Sequence, residues 1–178
     1  MIQNADVRDA TLELQTIMLD MLQRRAVMEA LQDRAIGKVA SDDAALTILA
    51  SDYLRAQLSD LRKFFDQDNR SHRASDLTAK LPPTGGAAKQ KHAVLFTRWK
   101  AQYEPTANQY LFHRQKGFTP PPGFSRGDLD HFIDDMGLFL DDLVRELTSA
   151  GYDVAYVSRD ATYFREIKAD AHKFFDAL

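Results

Sequence analysis

Between Ser125 and Gly151, Leu129, Phe132, Ile133, Met136, Leu140, Leu143, Val144 and Leu147 recur three and four positions apart. That spacing gathers them on one face of an α-helix, whereas a strand would need a period of two. The stretch also carries its own ends. Ser125 and Asp128 have the spacing of a capping box, and Gly151 suits the position just past a helix C-terminus. Arg126-Gly127-Asp128 is therefore explained as a helix start, without appeal to an adhesion motif. A helix with one apolar face needs further apolar faces to cover it, and the rest of the chain supplies them.

Leu14, Ile17, Met18, Met21, Met28 and Leu31 predict a helix over residues 9–35, with Gly37 just beyond its end. Ser41 as N-cap, followed by Asp42 and Asp43 in the first turn, opens a second helix over 42–68. Its face is Leu46, Leu49, Tyr53, Leu54, Leu58, Leu61 and Phe65. Two long amphipathic helices this close in sequence are expected to pair antiparallel. The methionines are read as core filler. A polar break follows, then a short helix over 76–81 and a Pro82-Pro83-Thr84-Gly85-Gly86 loop. Gly85, Gly86 and Lys89 do not make a phosphate loop, because the Gly-x-x-x-x-Gly-Lys-Ser/Thr pattern and a preceding strand are missing.

A central helix starts near Ala87, turns Leu95, Trp99 and Tyr103 inward, and stops at Gly117. Pro105 has no amide hydrogen and is expected to bend it. The proline-rich run from Phe118 to Ser125 reads as a spacer. Tyr152–Ser158 alternates in part with period two, but with no second strand to pair it, an extended connector or a helical turn is expected. The last helix runs from Asp160 to Leu178 with Phe164, Ile167, Ala171, Phe174, Phe175 and Leu178 facing inward. The expected fold is thus a single all-α domain over residues 1–178, with Leu58, Phe65, Leu140 and Phe175 buried.

With 44% hydrophobic and 28% charged residues, the 178-residue chain has the composition of a soluble globule rather than a disordered tail. A formal charge of -3 argues against a nucleic-acid footprint over the whole surface, while leaving room for a local basic cleft. Cysteine is absent, which removes disulfides, thiol nucleophiles and cysteine-bound metals. No long apolar run and no signal-peptide pattern is seen, so a cytoplasmic protein without a membrane span is expected. His72, among Asp68, Arg70 and Arg73, reads as solvated surface. His92, His131 and His172 fall on separate helices without metal-ligand spacing. Asp134-Asp135 and Asp141-Asp142 stand seven residues apart and read as carboxylates facing water. Neither a metal nor a cofactor is expected.

The polar end of the central helix carries Asn108, Gln109, Tyr110, His113 and Arg114. An imidazole titrates near neutral pH and is the first side chain to consider for proton transfer. A long helical hairpin, a break, and a helix ending in Asn108-x-x-x-x-His113-Arg114 resemble the HEPN superfamily, nearest its abortive-infection branch. Trp99-Lys100, Glu104-Pro105 and the run Leu61–Asp66 are similar to that branch as well. The resemblance implies a HEPN-like helical bundle and a role in phage defence or a toxin–antitoxin pair. The implied partners are a second copy of the chain in a homodimer, RNA, and an antitoxin or other defence-system protein. Members with the intact Arg–His motif resemble metal-independent endoribonucleases whose two copies line one cleft. On that basis His113 is the candidate acid/base, Arg114 the phosphate contact and Asn108 an orienting group. Arg98, Tyr110 and Lys116 are the candidate RNA contacts. The family's signature arginine position is Ala107 here, which leaves two readings open: weak endoribonuclease activity, or a non-catalytic helical dimerisation or scaffold module.

Overall fold

In a computed structural model, the structure describes residues 4–35, 44–65, 74–83, 86–112, 125–157, 159 and 161–176. Among these the regular structure is entirely helical, with no strand. The elements are α1 (Asn4–Ala35), α2 (Ala44–Phe65), α3 (Ala74–Thr78), α4 (Ala87–Arg98), α5 (Glu104–Phe112), α6 (Arg126–Ser149) and α7 (Ala161–Asp176). A π-helical turn, Trp99–Tyr103, joins α4 to α5.

The helix at Leu129–Leu147 is the spine of the domain. Leu129, Phe132, Ile133, Met136, Leu140, Leu143 and Leu147 are all buried. Its start is a reciprocal capping box: the Asp128 amide donates to Ser125 Oγ at 3.0 Å, and the Ser125 amide donates to Asp128 Oδ2 at 3.1 Å. Its end is a Schellman turn. Gly151, at φ +87°, allows the Tyr152 amide to reach the Leu147 carbonyl at 3.1 Å and its own amide to reach Thr148 at 3.0 Å.

α1 and α2 pack antiparallel against this spine. Gln57 donates to the Met21 carbonyl at 2.9 Å. Tyr53, one turn earlier in α2, meets Arg25, one turn later in α1, at the shared carboxylate of Asp130. Met18, Met21 and Met28 are buried as core filler, and so are Leu58, Phe65 and Leu140. α3 is shorter than expected, and its chain continues through turns to Leu81, which is buried. Lys89 holds that turn by donating to the Leu81 and Pro82 carbonyls, each at 2.9 Å. The expected caps and ends at Gly37, Ser41 and residues 66–68 lie outside the described residues.

Two expectations are corrected. Phe174 is exposed and Phe175 only half-buried, because α7 lies along the outer side of α1 rather than inside the bundle. Of the α6 aspartates, Asp134, Asp135 and Asp141 face water as expected while also pairing with cations, and Asp142 is buried. Asp134 pairs with Arg25 at 2.7 Å, Asp135 with Arg98 at 2.6 Å, Asp142 with Lys91 at 2.5 Å and with Arg145, and Asp141 with Arg159. Each pair is seven residues from its counterpart, two helical turns, so Asp135 and Asp142 both face α4 while Asp134 and Asp141 face α1 and the connector before α7.

That connector, Tyr152–Val157, is neither strand nor helix, and it has an unusual partner. Buried Gln15 on α1 accepts from the Val157 amide at 2.7 Å and donates to the Ala155 carbonyl at 2.5 Å. Thr11 Oγ1 accepts from the Ala155 amide at 3.2 Å. Two side chains of a helix thus satisfy the backbone groups that a neighbouring strand would otherwise take.

Candidate functional site

The candidate site stands at the far end of the α4–α5 arm, and α6 sets the position of that arm. At its start the Ala88 amide donates to Glu146 at 3.1 Å, so a protein carboxylate already occupies the helix N-terminus that the glycine pair precedes. A Cβ on Gly86 would lie 1.9 Å from the same carboxylate, so any larger residue there requires the Glu146 side chain to move. Lys91–Asp142 and Arg98–Asp135 follow, one two-turn step apart on each helix, and they fix the antiparallel register of α4 on α6.

The π-turn then carries the arm into the core. The Glu104 amide bonds to the Trp99 carbonyl, five residues back, one residue before Pro105. Pro105 has no hydrogen to donate to the usual carbonyl, and the expected bend takes the form of this wider turn. Trp99 stacks on Phe65 at 5.8 Å and Tyr103 packs on Phe132 at 4.6 Å, both fully buried. Tyr103 donates to the Asp128 carbonyl at 3.1 Å, and burial pushes its phenol above the ordinary tyrosine range.

Beyond this anchor, Thr106 and Ala107 are buried while Asn108 is exposed. The residue at the signature position therefore points into the core, where its methyl joins the apolar cluster. Asn108 is on the solvent side of α5, available for hydrogen bonding. Tyr110 belongs to α5, but its side chain lies outside the described residues, as do His113, Arg114 and Lys116. Arg98 lies one to two turns before the π-turn's end, with its guanidinium 5.0 Å from the Phe132 ring centre and paired to Asp135. Lys100 is likewise paired, to Glu104 at 2.6 Å. Of the six expected site residues, the structure thus places Asn108 on the surface of α5 and Arg98 in an ion pair on α4. It does not bring those two together in any described contact.

One polar constellation was missed by the sequence reading. Where α1, α2 and α6 meet, Tyr53 donates to Asp130 Oδ1 at 2.7 Å, with Arg126 at 3.2 Å from the other oxygen and Arg25 at 4.0 Å. Burial pushes the Tyr53 phenol far above its ordinary range, and the neighbouring Asp130 carboxylate adds to the shift. Its members come from residues 25, 53, 126 and 130, and the single local hint is an aspartate at the edge of an apolar stripe. The cluster joins three helices, and within it Arg126 Nε is buried beside Asp130 without a hydrogen bond of its own. Among the described residues no group of three or more His, Asp or Glu is placed to hold a metal ion, and no helix is long and apolar enough to cross a membrane.

No family model, no curated protein and no solved structure matches this chain.

Proposed function

We propose that the chain is a HEPN-like protein of the phage-defence or toxin–antitoxin type, acting in the cytoplasm as a homodimer. It binds RNA or a protein partner through the end of α5. The observation that carries this reading is the exposed Asn108 on a helix that runs unbroken to Phe112, directly before His113-Arg114. The all-α bundle with its antiparallel α1–α2 pair is consistent with the layout that the resemblance implies. In the catalytic form of the proposal, His113 moves the proton of a ribose 2'-hydroxyl and Arg114 takes the charge gathering on phosphate. Asn108 orients the substrate, with Tyr110 and Lys116 as further contacts.

A second reading is favoured by one observation of its own. Ala107 is buried and Arg98 is engaged by Asp135, so two positions that would supply cationic help do not. That arrangement suits a non-catalytic dimerisation or scaffold module, and it limits any ribonuclease activity to a weak one. The deciding experiment incubates purified protein with single-stranded RNA in EDTA, wild type beside His113→Ala. The proposal expects salt-sensitive binding, with any cleavage lost in the variant. Absence of both binding and cleavage, with a dimer in sedimentation, selects the module.

A further inference from the structure

α7 is attached to the domain differently from every other long helix. Among its described side chains none is buried, whereas α6 buries ten residues. It leans on α1 and on no other element to a comparable extent. Its polar contacts to α1 include a short row of side chains. Tyr163 accepts from Gln23 at 2.7 Å, Lys168 reaches Asp33 at 2.8 Å and Glu29 at 3.6 Å, and His172 stands 3.6 Å from the same Asp33 carboxylate. These groups are all partly in water, where such pairs contribute little. The apolar side chains Phe164, Ile167 and Phe175 are each only half-covered. An open cleft of about 250 Å³ runs under Phe164 and Lys168, with Leu22, Ala26 and Asp134 on its other wall.

The chain leading to α7 is, by contrast, firmly fixed. Gln15 and Thr11 hold the backbone of Ala155 and Val157, and the largely covered Arg159 donates to the Gly137 carbonyl at 3.1 Å besides pairing with Asp141. A backbone held at Ala155 and Val157, followed by a helix that lies close along α1 yet buries none of its described side chains, defines a boundary between a core unit and a separately opening one.

We propose that α7 is a strap that opens from α1 as a unit while the bundle and the connector stay folded. Opening uncovers the seat formed by Leu22 and Ala26. That seat adjoins an apolar groove of about 450 Å³ bounded by Val27, Met28, Leu31 and Leu49. The strap thereby controls how much apolar surface this side of the molecule shows. This inference does not depend on the function proposed for α5.

Hydrogen exchange of the full chain, read peptide by peptide by mass spectrometry, tests it. Amides of α7 are expected to exchange at least about tenfold faster than the slowest amides of α6, through openings with little denaturant dependence. Lys168→Ala removes the pairs to Asp33 and Glu29 from a half-exposed position. It should speed exchange in α7 by about two- to five-fold and leave α6 unchanged. The proposal is overturned if α7 and α6 exchange at one rate with one denaturant dependence. It is equally overturned if Lys168→Ala speeds both helices alike, since α7 would then open only with the whole domain.

Discussion

Gly86 and Glu146 make a paired experiment whose outcome depends on background. Gly86 has φ -75° and ψ 174°, a conformation open to any residue, so alanine there carries no backbone strain. By restricting the unfolded chain, Gly86→Ala should stabilise by about 0.4–1 kcal/mol if nothing else changed. Something else does change: the new methyl would lie 1.9 Å from Glu146 Oε2 and 2.3 Å from its Cδ. The Glu146 side chain can swing away, but it then gives up its bond to the Ala88 amide and the N-terminus of α4 loses its cap. A lost cap costs about 0.5–2 kcal/mol. In the wild type the two effects oppose, and the net change should lie between a gain of about 0.5 and a loss of about 1.6 kcal/mol. In a Glu146→Ala background the cap is already gone, and Gly86→Ala should stabilise by about 0.4–1 kcal/mol. Urea denaturation of the four proteins gives a double-mutant cycle with an expected coupling energy of about 0.5–2 kcal/mol. A coupling within about 0.3 kcal/mol of zero would show that Glu146 does not cap α4.

Two further substitutions test the core around the candidate site. Ala107→Arg places a long cation where the methyl is fully buried, and it should cost about 3 kcal/mol or more by chemical denaturation while conferring no RNA cleavage; a folded variant with ribonuclease activity would refute the core placement. Burial among Phe65, Phe96 and Phe139 pushes the His92 imidazole below its ordinary value of 6.5. The unfolded chain therefore takes up the proton first as pH falls. The stabilising contribution is full above about pH 6.5 and is lost as pH drops from there toward the lower folded value. His92→Leu should flatten that part of a plot of denaturation midpoint against pH, and an unchanged slope would show that the imidazole is not shielded.

Much of the fold is legible in the sequence because apolar period and caps are local quantities. Leu129–Leu147, Ser125, Asp128 and Gly151 all do in the structure what their spacing predicts. That Tyr152–Val157 is no paired strand is legible by elimination, yet its partner Gln15 is not, since a glutamine inside an apolar stripe gives no sign of which backbone it will satisfy 140 residues later. α7 shows the reverse failure. Its stripe is as regular as that of α6, but period alone tells which face turns inward, not how deeply the helix is covered, and Phe174 stays exposed. The partners of the α6 aspartates, and the burial of Asp142, are not legible for a related reason. A seven-residue repeat of carboxylates says that they share a side, while the cations that meet them lie on α1, α4 and the connector. Of the candidate site, the solvent-facing position of Asn108 and the inward one of Ala107 are observed.

The pairing of Arg98 with Asp135 gives the RNA reading its most direct test within the described helices. The pair is half-exposed, with 33% of the Arg98 side chain and 50% of the Asp135 side chain open to solvent, so its contribution to stability is small, about 0–1 kcal/mol. Its effect on charge is larger. While Asp135 neutralises Arg98, the α4 face offers phosphate no net attraction at this point. Asp135→Asn keeps the shape, removes one negative charge and leaves the guanidinium over Phe132 with its charge unbalanced. If Arg98 contacts RNA, affinity for a single strand should rise, and the slope of log affinity against log salt should steepen by roughly 0.7, the share of one added phosphate contact on single-stranded nucleic acid. Arg98→Ala in the same background should abolish the gain. A gain that survives Arg98→Ala would be a general effect of lower negative charge, and no gain at all would remove Arg98 from the RNA-binding surface and leave that role to the chain beyond Phe112.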